Sequence, residues 1–189
     1  MRSYSHEPSP HSSANKADQH LTSDQQQLRI TSLVEALRDP DADVRSEAAW
    51  ALQAIGPDAV RELAKALSDM DAGVRYGAAT ALRAIGPDAR AAVPKLAKAL
   101  SDSDAGVRHG AAWALEAIGP DARTAVPELA KALSDTDADV RSGAAWALQA
   151  IGPDARSAIP ALFKAQNDTD ADVRYVAARA LEAIDPDEV

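Results

Sequence analysis

The dipeptide Val-Arg returns at Val44-Arg45, Val74-Arg75, Val107-Arg108, Val140-Arg141 and Val173-Arg174, in steps of 30, 33, 33 and 33 residues. Ile-Gly-Pro-Asp follows the first four copies at Ile55, Ile85, Ile118 and Ile151, and the fifth reads Ile184-Asp185-Pro186-Asp187. A unit this short cannot enclose a core by itself. Each copy must bury its apolar surface against the next, so the chain is committed to a stacked array of supersecondary units. Composition agrees: 46% of residues are hydrophobic but only 4% are aromatic, which suits thin, closely packed helices better than a thick globular core.

Each unit reads as two helices. At about 100° per residue, Ala144, Ala147, Leu148 and Ile151 fall within about 80° of Val140, one apolar stripe along the second helix, B. Asp137 is placed to cap its N-terminus, and Gly152-Pro153 ends it. The first helix, A, puts Val126, Leu129 and Leu133 on one side, with Pro127 in its first turn, or at a kink if the helix begins near Asp121.

A period of 33 also suits ankyrin repeats, but their Thr-Pro-Leu-His signature is missing. The chain instead resembles HEAT repeats, especially the short HEAT-like units of the phycobilisome lyase group. The resemblance rests on Asp and Arg six residues apart: Asp39 with Arg45, Asp69 with Arg75, Asp102 with Arg108, Asp135 with Arg141, and Asp168 with Arg174. It implies an all-α, right-handed α-solenoid of about five helix pairs. It further implies an Asp–Arg ladder between successive repeats, a bend at the helix-A prolines, and B helices along the concave face. The expected repeat region is 24–189, with units near 28–60, 61–93, 94–126, 127–159 and 160–189. Residues 1–23, rich in Ser, His and Pro, are expected to be a disordered tail.

Two units depart from the pattern. Ala59-Val60-Arg61 stands where the next copy has Ala89-Arg90-Ala91-Ala92-Val93-Pro94, which predicts a shortened helix A without proline and a local change of curvature. The last unit has Gln166 for the helix-A leucine and Asp185 for the glycine after helix B, as befits a solvent-facing end.

Comparing the five copies separates what the scaffold fixes from what it leaves free. Three helix-B positions vary most: Ser46, Tyr76, His109, Ser142 and Tyr175; Trp50, Thr80, Trp113, Trp146 and Arg179; and Gln53, Arg83, Glu116, Gln149 and Glu182. They lie at i, i+4 and i+7, roughly 180° to 240° from the start of the wheel and opposite the apolar stripe. All three Trp, two of three Tyr and His109 are on this stripe. Trp, Tyr and Arg supply most hot-spot energy in interfaces, so the stripe is the expected contact surface for a protein or peptide partner. The competing use of these rings is packing, since Gly110, Gly143, Ala54, Ala117 and Ala150 leave room for them against neighbouring units.

Other chemistries fit less well. Asp135-Thr136-Asp137-Ala138-Asp139 opens like a calcium loop, but Val140 and Trp146 stand where glycine and glutamate are needed, and Val173 and Arg179 repeat the mismatch. His109 lacks the convergent partners of an acid–base site. The Gly-Pro-Asp-Ala turns lack the GK[ST] of a phosphate loop. The absence of cysteine excludes thiolate chemistry and suits the cytoplasm, and no stretch reaches the length of a membrane span. A net charge of −9 disfavours nucleic acid and anionic lipid. The expectation is a monomeric, cytoplasmic, non-enzymatic interaction module without cofactor. The lyase resemblance implies one alternative, in which Arg83, Arg179 and His109 help an aromatic groove hold a tetrapyrrole or its carrier protein.

Overall fold

The computed structural model describes residues 21–185. Within them ten α-helices alternate as A and B. The A helices are α1 (Ser23–Ala36), α3 (Val60–Ala66), α5 (Val93–Ala99), α7 (Val126–Ala132) and α9 (Ile159–Ala165); the B helices are α2 (Ala42–Ile55), α4 (Ala72–Ile85), α6 (Ala105–Ile118), α8 (Ala138–Ile151) and α10 (Ala171–Ile184). Four 3₁₀ segments, Gly56–Ala59, Gly86–Ala92, Gly119–Ala125 and Gly152–Ala158, lead from each B helix into the next A helix. The chain is an all-α solenoid.

The B helices repeat because both ends are specified locally. Asp41, Asp71, Asp104, Asp137 and Asp170 accept hydrogen bonds from the first free backbone N–H groups of α2, α4, α6, α8 and α10, a cap worth ~1 kcal/mol. Gly56, Gly86, Gly119 and Gly152 close four of them at φ of 70° or 71°, a backbone state that a Cβ opposes. The proline that follows cannot continue the α-helix, and the 3₁₀ turn begins. Pro127 lies in the first turn of α7, and the segment from Gly119 is 3₁₀, so no long kinked helix forms.

One apolar core runs the length of the stack. Leu52, Leu82, Leu115, Leu148 and Leu181 of the B helices and Leu63, Leu96, Leu129 and Leu162 of the A helices are fully buried, each contributing ~2 kcal/mol. Between B helices the contact is alanine on alanine or glycine: a Cβ on Gly110 would sit 3.2 Å from the Ala79 Cβ, and one on Gly143 3.2 Å from the Ala112 Cβ. These small residues let α4, α6, α8 and α10 pack along their length, whereas successive A helices meet mainly through the 3₁₀ segments.

The first junction departs from expectation. Helix α3 has seven residues, as do α5, α7 and α9; the missing three come out of the 3₁₀ segment, four residues long instead of seven. Because this segment sets how the next unit is placed, α2 packs less extensively on α4 than the later B helices do on one another. Val44 is left exposed, although its counterparts Val74, Val107, Val140 and Val173 are buried. Thr22 and Gln25 form a capping box, and α1 begins at Ser23. The rest of the expected tail, 1–20, lies outside the described residues.

Candidate functional site

Two rows of side chains run along the stack. The first is the Asp–Arg ladder at the turns from A to B. The Arg75 Nε and Nη2 donate to both Asp102 carboxylate oxygens at 2.7 Å; Arg108 grips Asp135 at 2.8 and 2.9 Å; Arg141 grips Asp168 at 2.8 Å twice. The remaining Nη1 of each donates to backbone carbonyls of its own turn, as Arg108 does to Asp102 and Ser103. The residues six apart therefore share a turn through the backbone, while the carboxylate partner belongs to the next unit.

Each Asp also accepts from the N–H two residues on, as Asp135 does from Asp137. Burial pushes the Asp102 and Asp135 carboxyls up, but the hydrogen bonds from Arg75 or Arg108 and from the backbone outweigh it and hold both below the usual carboxylate range. Asp168 is lowered chiefly by Arg141. At the first junction the ladder slips: Arg38, not Arg45, bonds Asp69, and among the described residues Arg45 keeps only the carbonyls of Asp39 and Pro40. Of the Asp groups that resemble a calcium loop, Asp135 and Asp168 are ladder acceptors and Asp137 and Asp170 are helix caps, while Asp139 and Asp172 stand in the first turn of the B helices. Shallow polar grooves follow this edge, with Lys95, Lys98 and Lys131 on their rims.

The second row is the B-helix stripe. On α2, Ser46, Trp50 and Gln53 are exposed, as are Tyr76, Thr80 and Arg83 on α4 and Tyr175, Arg179 and Glu182 on α10; on α6 and α8, His109, Trp113, Glu116, Ser142 and Gln149 are half-buried, while Trp146 is exposed. The three tryptophans therefore differ. Trp50 is 74% exposed and Trp146 39%, whereas Trp113 is tucked in: a Cβ on Gly143 would lie 3.0 Å from its Cδ1. The Arg83 guanidinium sits over the Trp113 ring at 3.9 Å, and His109 meets it edge-on, centroids 4.6 Å apart at 71°. Arg83, His109 and Trp113 form a cluster that joins two units.

The rings of the stripe are therefore unequally placed. The deciding row is Glu47, Gly77, Gly110, Gly143 and Val176, each just after the first stripe position. Where it holds glycine, the preceding ring can lie down, as Trp113 does on Gly143 and Tyr76 does beside Gly110. Trp146 precedes Val176, which has a side chain in that place. Trp50 precedes Gly77, but across the slipped first junction the space beside Gly77 is taken by Leu37. Ser142 donates to the Asp139 carbonyl at 3.1 Å, and Arg179 lies 3.9 Å from Glu182. The Gln149 Oε1 is buried and accepts no hydrogen bond within the described residues.

Comparison with known proteins agrees with this architecture. The family model of HEAT repeats matches residues 30–116 and 93–182, and the chain belongs to the HEAT-repeat family. No curated protein matches it. Among solved structures, an engineered protein is similar at 30% identity and a TM-score of 0.63, covering 82% of this chain and 78% of that one. A designed armadillo repeat protein in complex with the peptide (KR)4 is similar at 25% identity and a TM-score of 0.62, covering 93% and 92%. The complex of CpcE and CpcF of phycocyanin lyase from Nostoc sp. PCC7120 shares the fold at 24% identity and a TM-score of 0.70, covering 81% and 98%. No helix among the described residues is long and apolar enough to cross a membrane.

Proposed function

We propose that this chain is a non-enzymatic interaction scaffold that takes an extended peptide, or the surface of a folded partner, across the concave B-helix face. The observation that carries the reading is the exposure of four large rings, Trp50, Tyr76, Trp146 and Tyr175, on B helices whose other large apolar groups are almost all buried. Holding such rings in water is unfavourable, and their rigidity makes them inexpensive to immobilise in a complex. The rest of the face is mixed polar, so contacts there tune selectivity. A solenoid of like build in complex with (KR)4 supports an extended peptide as one form of partner. Trp113, with its ring committed to Arg83 and Gly143, serves the scaffold more than the partner.

A phage-displayed peptide library panned on the protein tests this. Enrichment should be lost with Trp50→Ala and Tyr175→Ala together, while far-UV circular dichroism and the melting temperature stay close to wild type. Equal enrichment on the double variant would remove the B-helix face as the docking surface. The same face predicts no change in the visible absorbance of an added bilin. A stoichiometric change would favour the lyase-like alternative.

A further inference from the structure

The repeat presents nearly the same local site twice, once filled and once open. Arg83 stands 30 residues before Trp113, and Glu116 stands 30 residues before Trp146. The two pairs stand in the same register on neighbouring B helices, at junctions with the regular 33-residue step. In the first pair the chain supplies its own cation, the Arg83 guanidinium 3.9 Å over the Trp113 ring. In the second, the same register holds a carboxylate of opposite sign, shorter in reach than arginine. Glu116 forms no side-chain ion pair or hydrogen bond within the described residues. Trp146 keeps 39% of its surface exposed.

Resting on the docking reading above, we infer that the face between α6 and α8 at Trp146 and Glu116 receives an arginine side chain of the bound partner. The guanidinium is the group that matches both features. Its plane stacks on an indole as Arg83 does on Trp113, and its N–H fork pairs with a carboxylate. An ammonium offers a point charge without the stacking plane. The chain's net charge of −9 favours a cationic segment over long range. At the preceding junction Arg83 already occupies the equivalent position, so that junction is closed to the partner and the open groove fixes the peptide's register.

The test uses fluorescence anisotropy with three labelled octapeptides in which glycine alternates with arginine, citrulline or lysine. Arginine should bind at least about tenfold more tightly than citrulline, its neutral isostere, and more tightly than lysine. Glu116→Arg, which would recreate the Arg83 arrangement and fill the groove from within, should cost about tenfold, and Glu116→Gln several-fold. Glu128→Arg on the outer helix α7 makes the same change of charge and should cost less than about twofold. Equal binding of arginine and citrulline overturns the inference, as does an equal loss from Glu128→Arg, which would mean bulk attraction. The two readings separate cleanly. Library clones that need Trp50 and Tyr175 but carry no arginine and ignore Glu116→Arg would leave the docking face standing and remove the arginine site. Clones indifferent to Trp50 and Tyr175 would remove the face, while the octapeptide series still reads the groove.

Discussion

Replacing Arg108 by alanine should cost about 3 kcal/mol, and the structure indicates where that loss comes from. Arg108 and Asp135 expose only 13% and 12% of their side chains, so this is a largely desolvated pair and not a surface ion pair worth ~0.5 kcal/mol. Removing one partner of a buried pair strands the other charge at about 3–5 kcal/mol, and the residual exposure places Arg108 near the lower end. Two backbone carbonyls, of Asp102 and Ser103, also lose a charged donor, although water can reach them. Arg174→Ala is the internal control. Its only partners among the described residues are the carbonyls of Asp168 and Thr169, the residue is exposed, and about 1 kcal/mol should be lost.

Urea denaturation followed by far-UV circular dichroism measures the difference. Because each repeat is coupled only to its neighbours, cutting the ladder between α6 and α8 should also broaden or split the transition. The pH dependence fixes the origin. Asp135 is held below its unfolded value, so its contribution is complete above about pH 4 and fades as pH falls through the lowered folded value. The gap between wild type and Arg108→Ala should therefore shrink in acid. Should Arg108→Ala fall within about 0.5 kcal/mol of Arg174→Ala at neutral pH, the ladder is not a stabilising device and the reasoning fails.

Further expectations follow from the same geometry. Trp113→Ala should cost about 2–3 kcal/mol by thermal melting, and Trp50→Ala under about 0.5; equal losses would contradict their different burial. Gly143→Ala should destabilise despite the ~1 kcal/mol helix-propensity gain of alanine, because its Cβ would meet Trp113 at 3.0 Å and Ala112 at 3.2 Å. Gly106→Ala should stabilise by roughly 0.5–1 kcal/mol, since Asp139 and Asp172 occupy that register elsewhere, and chemical denaturation of the two variants should give opposite signs. Inserting Arg-Ala-Ala after Ala59 restores a 33-residue step and should move Asp69 from Arg38 to Arg45. Hydrogen exchange would report it as increased protection of α1 and α2, and unchanged protection would show that the slip has another cause.

Nearly all of the architecture is legible in the sequence. Helix ends are written in single residues with local mechanisms, such as Asp137 as a cap and Gly152 as a stop, and the spacing of Val140, Ala144, Leu148 and Ile151 marks the buried stripe. The ladder residues are visible too, but not their pairing: Arg108 belongs with Asp135, 27 residues ahead, because its fork points across the junction. The candidate site was less legible. Periodicity puts Trp50, Trp113 and Trp146 at one wheel position and treats them alike, but their exposure depends on whether glycine, valine or a displaced neighbour lies opposite.

What the sequence by itself determined is the repeat, the helix pairs, the family and the side of each B helix that faces away from the core. These depend on interactions within a few residues, or on a period that any unit shares. Tertiary structure alone decided that the three-residue gap shortens a 3₁₀ turn and leaves α3 intact, that Arg38 replaces Arg45 on Asp69, and that Arg83 covers Trp113 while Trp146 stays open. Each of these is set between units. The geometry of a junction sums many small contacts across two packed surfaces, and no single residue carries it.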